Sequence, residues 1–349
     1  MKAMLLKELG GSLTLADVPV PKVGPTEALV RVRAAGVGLT LAIMRSNPGL
    51  VTRYPRIIGH EVAGDVVEVG SEVDTLRVGD RVTCHFYLTC KVCGFCRSGR
   101  ETLCPQFKGY VGMACDGGFA EYMALPALNL CRLPAGLAYL DAAIAADAIC
   151  TPLHVCRAEA QIGPGDDVLI VGAGGGVGVH MVQMARLSGG RVLAVDLGAD
   201  KLAMAKEVGA DVTIDAAVTP DWVSEVLDRT EGRGVHAAID LVATARTLPM
   251  CLAALARSGR LVIVGSRPKA VFKADPTFPV DPALVLSRGL EIHGSRYVSM
   301  AELEQTLEVV RQGRVRPIVT RTFPLEGADE ALRLVEQGRV VGRAALLLE

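Results

Sequence analysis

The sequence predicts a two-domain α/β chain, a mostly β unit joined to a doubly wound parallel sheet. Three observations carry that expectation. A chain of 349 residues exceeds one ordinary core. Up to about Ala145, short runs alternate apolar and polar residues between turn signals, as half-buried strands do. From Asp167 onward, continuous apolar runs alternate with helical patterns, as in a buried parallel sheet covered by helices. Composition narrows the class further. With 50% apolar residues, 21% charged residues and a net charge of -1, the chain is neither disordered nor collagen-like, and it lacks the basic surplus of a non-specific nucleic-acid binder. Aromatics make up only 4%, with Trp222 the single tryptophan, so base-stacking platforms are not expected.

The elements follow in order. Charges interrupt Met1–Glu8 before any apolar stretch forms, so this segment does not read as a signal peptide. Glu27–Val37, Val62–Val69, Arg81–His85 and Glu121–Pro126 read as strands, with Gly79-Asp80 as a turn. Thr151-Pro152 reads as a helix start, a capping hydroxyl followed by a proline. Strands are then expected at Val168–Val171, Val192–Val195, Val212–Ile214, Ala237–Asp240, Leu261–Val264 and Leu290–Ile292. Helices are expected at Gly178–Leu187, Ala199–Val208, Trp222–Thr230 and Thr247–Ala256. The tail adds a helix (Ala301–Gln312), a strand (Ile318–Thr322), a helix (Ala328–Gln337) and a strand (Ala344–Leu348), a return to β pairing that would complete the first domain. The expected domains are therefore 1–148 with 296–349, and 149–295. The uncharged stretch Val168–Ala185 holds five glycines and reads as strand, turn and helix, not a membrane span.

Two motifs carry chemistry. Gly172-Ala173-Gly174-Gly175-Gly176-Val177-Gly178 lies between a strand and a helix, where the backbone can approach a pyrophosphate and the helix N-terminus supplies N–H groups. Asp196 ends the next strand, placed to accept the ribose hydroxyls of NAD and to repel the 2′-phosphate of NADP. Lys201 and Arg191 stand close enough in sequence to blur that preference. Cys90, Cys93, Cys96 and Cys104 have the spacing of a closed tetrahedral zinc site, whose role is structural. An iron–sulfur site or loose cysteines are the other readings. The remaining cysteines, among the ten in the chain, read as small buried apolar residues in a reducing cytoplasm, with Cys150 held open.

These residues resemble the medium-chain dehydrogenase/reductase superfamily in its zinc-containing alcohol dehydrogenase branch. The resemblance is carried along the whole chain by Gly59-His60-Glu61-Val62-Ala63-Gly64, Val78-Gly79-Asp80-Arg81-Val82, the four-cysteine lobe near 84–110, Asp116-Gly117-Gly118-Phe119-Ala120-Glu121-Tyr122, the glycine turn and Gly342-Arg343. It implies a GroES-like β domain built from both chain ends around a Rossmann domain. It also implies a catalytic zinc held by the Cys of a Gly-Val-Cys-x-Thr-Asp segment, the His of Gly-His-Glu and a third ligand just before the Rossmann domain. Here that first segment reads Gly36-Val37-Gly38-Leu39-Thr40-Leu41, so the thiolate and a supporting carboxylate are absent. Zinc would survive only on His60, Glu61 and Asp147. The other reading is a metal-free pocket in which His60 or Thr40 handles protons. Thr40 takes the proton-passing hydroxyl position, or caps a helix beginning at Leu41. His154 reads as a packing residue. By resemblance, Thr151 touches the nicotinamide carboxamide and Arg343 reaches the cofactor phosphates. Together with Gly174, Gly176, Val177, Gly178, Asp196, Lys201 and Val264 they form the expected cofactor set.

The implied activity is NAD-linked hydride exchange with a small, fairly apolar alcohol or carbonyl compound. Reduction of a carbon–carbon double bond conjugated to a carbonyl or thioester is the alternative, and a non-catalytic NAD-binding protein is the reading from another class. A cytoplasmic homodimer or homotetramer, paired through the edge strand Leu290–His293, is expected, with no nucleic-acid or membrane partner.

Overall fold

A computed structural model describes the chain except residues 267–268 and 274–276. It divides into two compact units, Met1–Cys150 with Val298–Glu349, and Thr151–Tyr297.

The first unit is built on a seven-stranded sheet. Its path runs Leu130–Arg132, Arg81–Cys84, Val62–Val69, Glu27–Val37, Arg343–Leu347, Val319–Phe323, and Tyr122–Pro126 also pairs with Glu27–Val37. The long strand Glu27–Val37 organises the unit because its partners come from distant sequence. Antiparallel pairing sets Ala35 against Val62 on one side and Ala345 against Gly36 on the other. The end of that strand, the segment before Val62 and the start of the C-terminal strand therefore meet. A helix, Leu39–Ser46, begins directly after the strand, with Gly38 as its N-cap and the Gly38 carbonyl accepting from Leu41 N at 3.1 Å. Thr40 thus lies inside the first turn and does not cap it, because the helix starts as soon as the strand ends.

The chain is helical from Tyr139 to Glu159, with π-helical turns at Ala145–Ile149 and Val155–Glu159. Thr151-Pro152 is therefore inside a helix and does not start one. Proline removes an N–H and crowds the preceding turn, and the wider π turns on either side accommodate it.

The second unit carries a six-stranded, all-parallel sheet in the order Val212–Asp215, Arg191–Asp196, Asp167–Val171, Val235–Asp240, Leu255–Ile263, Glu291–Gly294. In chain order this is 3-2-1-4-5-6, the arrangement in which a dinucleotide binds where the order reverses. Every residue of Asp167–Val171 is buried, as a strand covered on both faces requires. Leu169, Val171, Leu193, Val195, Trp222 and Leu261 are among its core. Among the described residues no helix is long and apolar enough to cross a membrane.

Candidate functional site

The cysteine lobe gathers four thiols in one small loop. The Sγ atoms of Cys90 and Cys96 are 3.8 Å apart, those of Cys93 and Cys104 3.9 Å, and those of Cys104 and Cys90 3.5 Å. Four thiolates at about 2.3 Å from a tetrahedral zinc stand roughly 3.8 Å from one another, so the lobe fits a closed zinc site. Backbone N–H groups of Val92 and Cys93 pull the Cys90 thiol down to about 6, toward the thiolate that metals bind. Cys150 lies elsewhere: its buried thiol donates to Ala146 O of its own helix at 3.2 Å, so it does not replace the missing ligand.

In the second unit, the glycine turn follows Asp167–Val171. Gly172 takes a positive φ of 86°, closed to most side chains. A Cβ on Gly174 would stand 2.8 Å from Lys201 Cα, and one on Gly178 would stand 2.7 Å from Ala173 O. Asp196 ties this turn to the next strand by accepting from Gly174 N and from Leu197 N, each at 2.7 Å. Lys201 Nζ lies 3.8 Å from the same carboxylate. Gly176 O takes a hydrogen bond from the ring of His180 at 2.8 Å. That ring is fully buried, and burial pushes its pKa down to about 4, so it braces the turn as a neutral imidazole. Val177 opens the helix, accepting from Met181 N at 2.8 Å, and Val264 N donates to Asp240 O at 3.0 Å beside the end of its strand. Thr151 is buried in its helix.

In the first unit, His60, Glu61 and Asp147 come together below the surface, at 0%, 1% and 8% exposure. His60 Nε2 lies 3.5 Å from Asp147 Oδ2 and 3.9 Å from Glu61 Oε1. Among the described residues, neither ring nitrogen of His60 makes a hydrogen bond. The Phe86 ring packs against the imidazole, with centroids 4.4 Å apart. Gly36 N donates to Glu61 O at 2.8 Å, which fixes Gly38 and the helix after it beside this pair. Thr40 is half-buried and Leu41 buried at that helix start. Glu61 is also ion-paired with Arg343, whose guanidinium fills the space over Gly38. Burial draws the Arg343 pKa down to about 10, which leaves it cationic at neutral pH.

Comparison with known proteins identifies the frame. Residues 24–135 match the alcohol dehydrogenase GroES-like domain, and residues 176–312 match the zinc-binding dehydrogenase family. The NAD-dependent alcohol dehydrogenase of Sulfurisphaera tokodaii is 34% identical, covering 99% of this chain and 100% of its own length. The chain belongs to the zinc-containing alcohol dehydrogenases. Among solved structures, AibC matches with a TM-score of 0.91 at 36% identity over 99% of this chain and 95% of that one. The alcohol dehydrogenase of Aeropyrum pernix matches with a TM-score of 0.90 at 32% identity over the full length of both chains.

As a zinc-containing alcohol dehydrogenase, the chain is expected to carry zinc at the lobe and at a catalytic pocket. The lobe fits, by its sulfur spacing. For the pocket two observations conflict. The ligand atoms of His60, Glu61 and Asp147 lie within 4.8 Å of one another, close enough for one ion. Yet one of those carboxylates already holds a guanidinium, which also fills the missing thiol's place. Two unit charges 4 Å apart interact by about 4 kcal/mol at an effective dielectric near 20, and a divalent ion doubles that repulsion. The pocket thus offers a ligand set close enough for one ion, with a guanidinium competing for one of its carboxylates. Two features carry no sequence signal of their own. Nothing in Gly342-Arg343 points to Glu61 as a partner, and His180 is legible only as a histidine one turn beyond Gly176.

Proposed function

We propose that the chain is an NAD-dependent oxidoreductase that exchanges a hydride with a small alcohol or carbonyl compound. The observation that carries this reading is the glycine turn braced by Asp196 at the reversal of strand order. Gly174, Gly176, Val177 and Gly178 would lie along the pyrophosphate, with Asp196 and Lys201 at the ribose and Thr151 and Val264 toward the nicotinamide. When bound, the nicotinamide supplies or accepts the hydride. The protein's part is proton handling and polarisation. Among the described residues His60 makes no ring hydrogen bond and has a carboxylate 3.5 Å away to orient it, the arrangement of a general acid–base group. The Thr40 hydroxyl, on the half-buried first turn, is the donor toward a substrate oxygen.

The absent thiolate at Gly38 favours one second reading, reduction of a conjugated carbon–carbon double bond. Transfer from NADH deuterated at C4 separates the two. Deuterium on a carbinol carbon supports the first reading, and deuterium on the carbon β to a carbonyl supports the second. NADH binding without turnover on either substrate class leaves a binding protein. We further propose a cytoplasmic homo-oligomer. The ten cysteines, none of them in a disulfide, suit a reducing compartment, and the edge strand Glu291–Gly294, with Ile292 exposed, suits pairing with a second copy.

A further inference from the structure

The backbone at Gly38 is extended, with φ −119° and ψ 165°, a conformation open to any L-residue. The path of the chain does not call for glycine there. Space does: a Cβ on Gly38 would stand 2.7 Å from Nη2 and 2.8 Å from Cζ of Arg343. The backbone of Arg343 is anchored, and its buried guanidinium is paired with Glu61. Arg343 is 3% exposed, its N–H donates to Ile318 O at 2.8 Å, and its side chain closes on Glu61. Gly36 is constrained from the other direction, since its Cβ would stand 2.9 Å from Glu61 Cβ. Two glycines at the end of one strand thus make room for one carboxylate–guanidinium pair.

We infer that Arg343 is the resident cation of this pocket. Its guanidinium takes the place of the missing thiolate, positions Glu61 beside His60, and keeps a second zinc out. Gly38 and Arg343 are therefore a matched pair, and restoring the thiol alone cannot restore the metal. Buried carboxylates demand a nearby positive charge, and arginine supplies it here as a planar, permanently charged group. Arg343 acts as a positioning residue. The inference rests on the oxidoreductase reading for what the pocket does, but metal content is measured without turnover, so the two can fail separately.

The test is zinc content of the full chain by elemental analysis, with cobalt(II) exchange followed by absorption spectroscopy. Wild type is expected to hold one zinc per chain, and its cobalt form to show the thiolate bands of the cysteine lobe alone. Gly38→Cys should stay at one, because the guanidinium occupies the thiol's space, and Arg343→Lys should also stay at one. Gly38→Cys combined with Arg343→Ala should rise to two. A wild type with two tightly held zincs overturns the inference, as does a second zinc in Gly38→Cys with Arg343 in place. A double variant that keeps a cooperative thermal unfolding transition but stays at one overturns it as well. Should the double variant fail to fold, wild type and Gly38→Cys decide the question.

Discussion

Asp196 has two roles at once, since its carboxylate closes the glycine turn and is the group expected at the ribose. Asp196→Ala should weaken NADH binding and narrow its preference over NADPH, measured by fluorescence titration. A wild type that prefers NADPH would contradict this. His60 stands in a different position, buried, beside an aromatic ring, with its nearest carboxylate at 3.5 Å. Losing a general acid–base group typically costs about 10²–10⁴-fold in rate. His60→Ala should therefore lower kcat by that order and leave NADH affinity nearly unchanged. Asp196 was legible in the sequence because it ends the strand next to a glycine turn, a local relation. Arg343 was legible only as a motif: its partner depends on the register of three strands far apart in sequence.

The cysteine lobe and the helices answer to element-scale physics. Metal binding at a four-thiolate loop is itself folding free energy. Cys93→Ser should abolish the lobe's zinc and lower Tm, with a smaller effect on the glycine turn in the second unit. Full zinc content at unchanged Tm would contradict the assignment. Most strands and helices were readable from periodicity, and Gly178–Leu187 coincides with its expected bounds. Thr151-Pro152 misled because proline also fits helix interiors where neighbouring turns widen, which depends on a helix already begun at Tyr139. The cap expected at Thr40 failed similarly: sequence marks the hydroxyl, but the strand's end decides where the helix starts.

At the scale of the whole molecule, burial of titratable rings makes stability depend on pH. His180 and His85 are both fully buried, and burial pushes each down to about 4. A folded-state pKa below the unfolded value means that unfolding takes up protons. The stability is complete above about 6.5 and is lost as pH falls toward 4. Between pH 7.5 and 5.5 each ring should cost on the order of 1 kcal/mol, from pKa values of 6.5 unfolded and about 4 folded. Thermal melts at those two pH values check this, and His180→Asn, which keeps a donor near Gly176 O, should show the smaller drop.

Arg343 also sets an order of events during synthesis. The chain of the second unit, Thr151–Tyr297, is complete before Arg343 is translated. Domains fold as units while synthesis proceeds at about 5–20 residues per second. The cofactor turn can therefore form on the ribosome while the pocket around His60 still lacks Arg343 and the strand Arg343–Leu347, which lies between Glu27–Val37 and Val319–Phe323 in its sheet. A chain arrested or clipped just before Arg343 should keep the parallel sheet and retain NADH on its glycine turn, yet have no competent pocket. In such a shortened product, cofactor retention would no longer report activity.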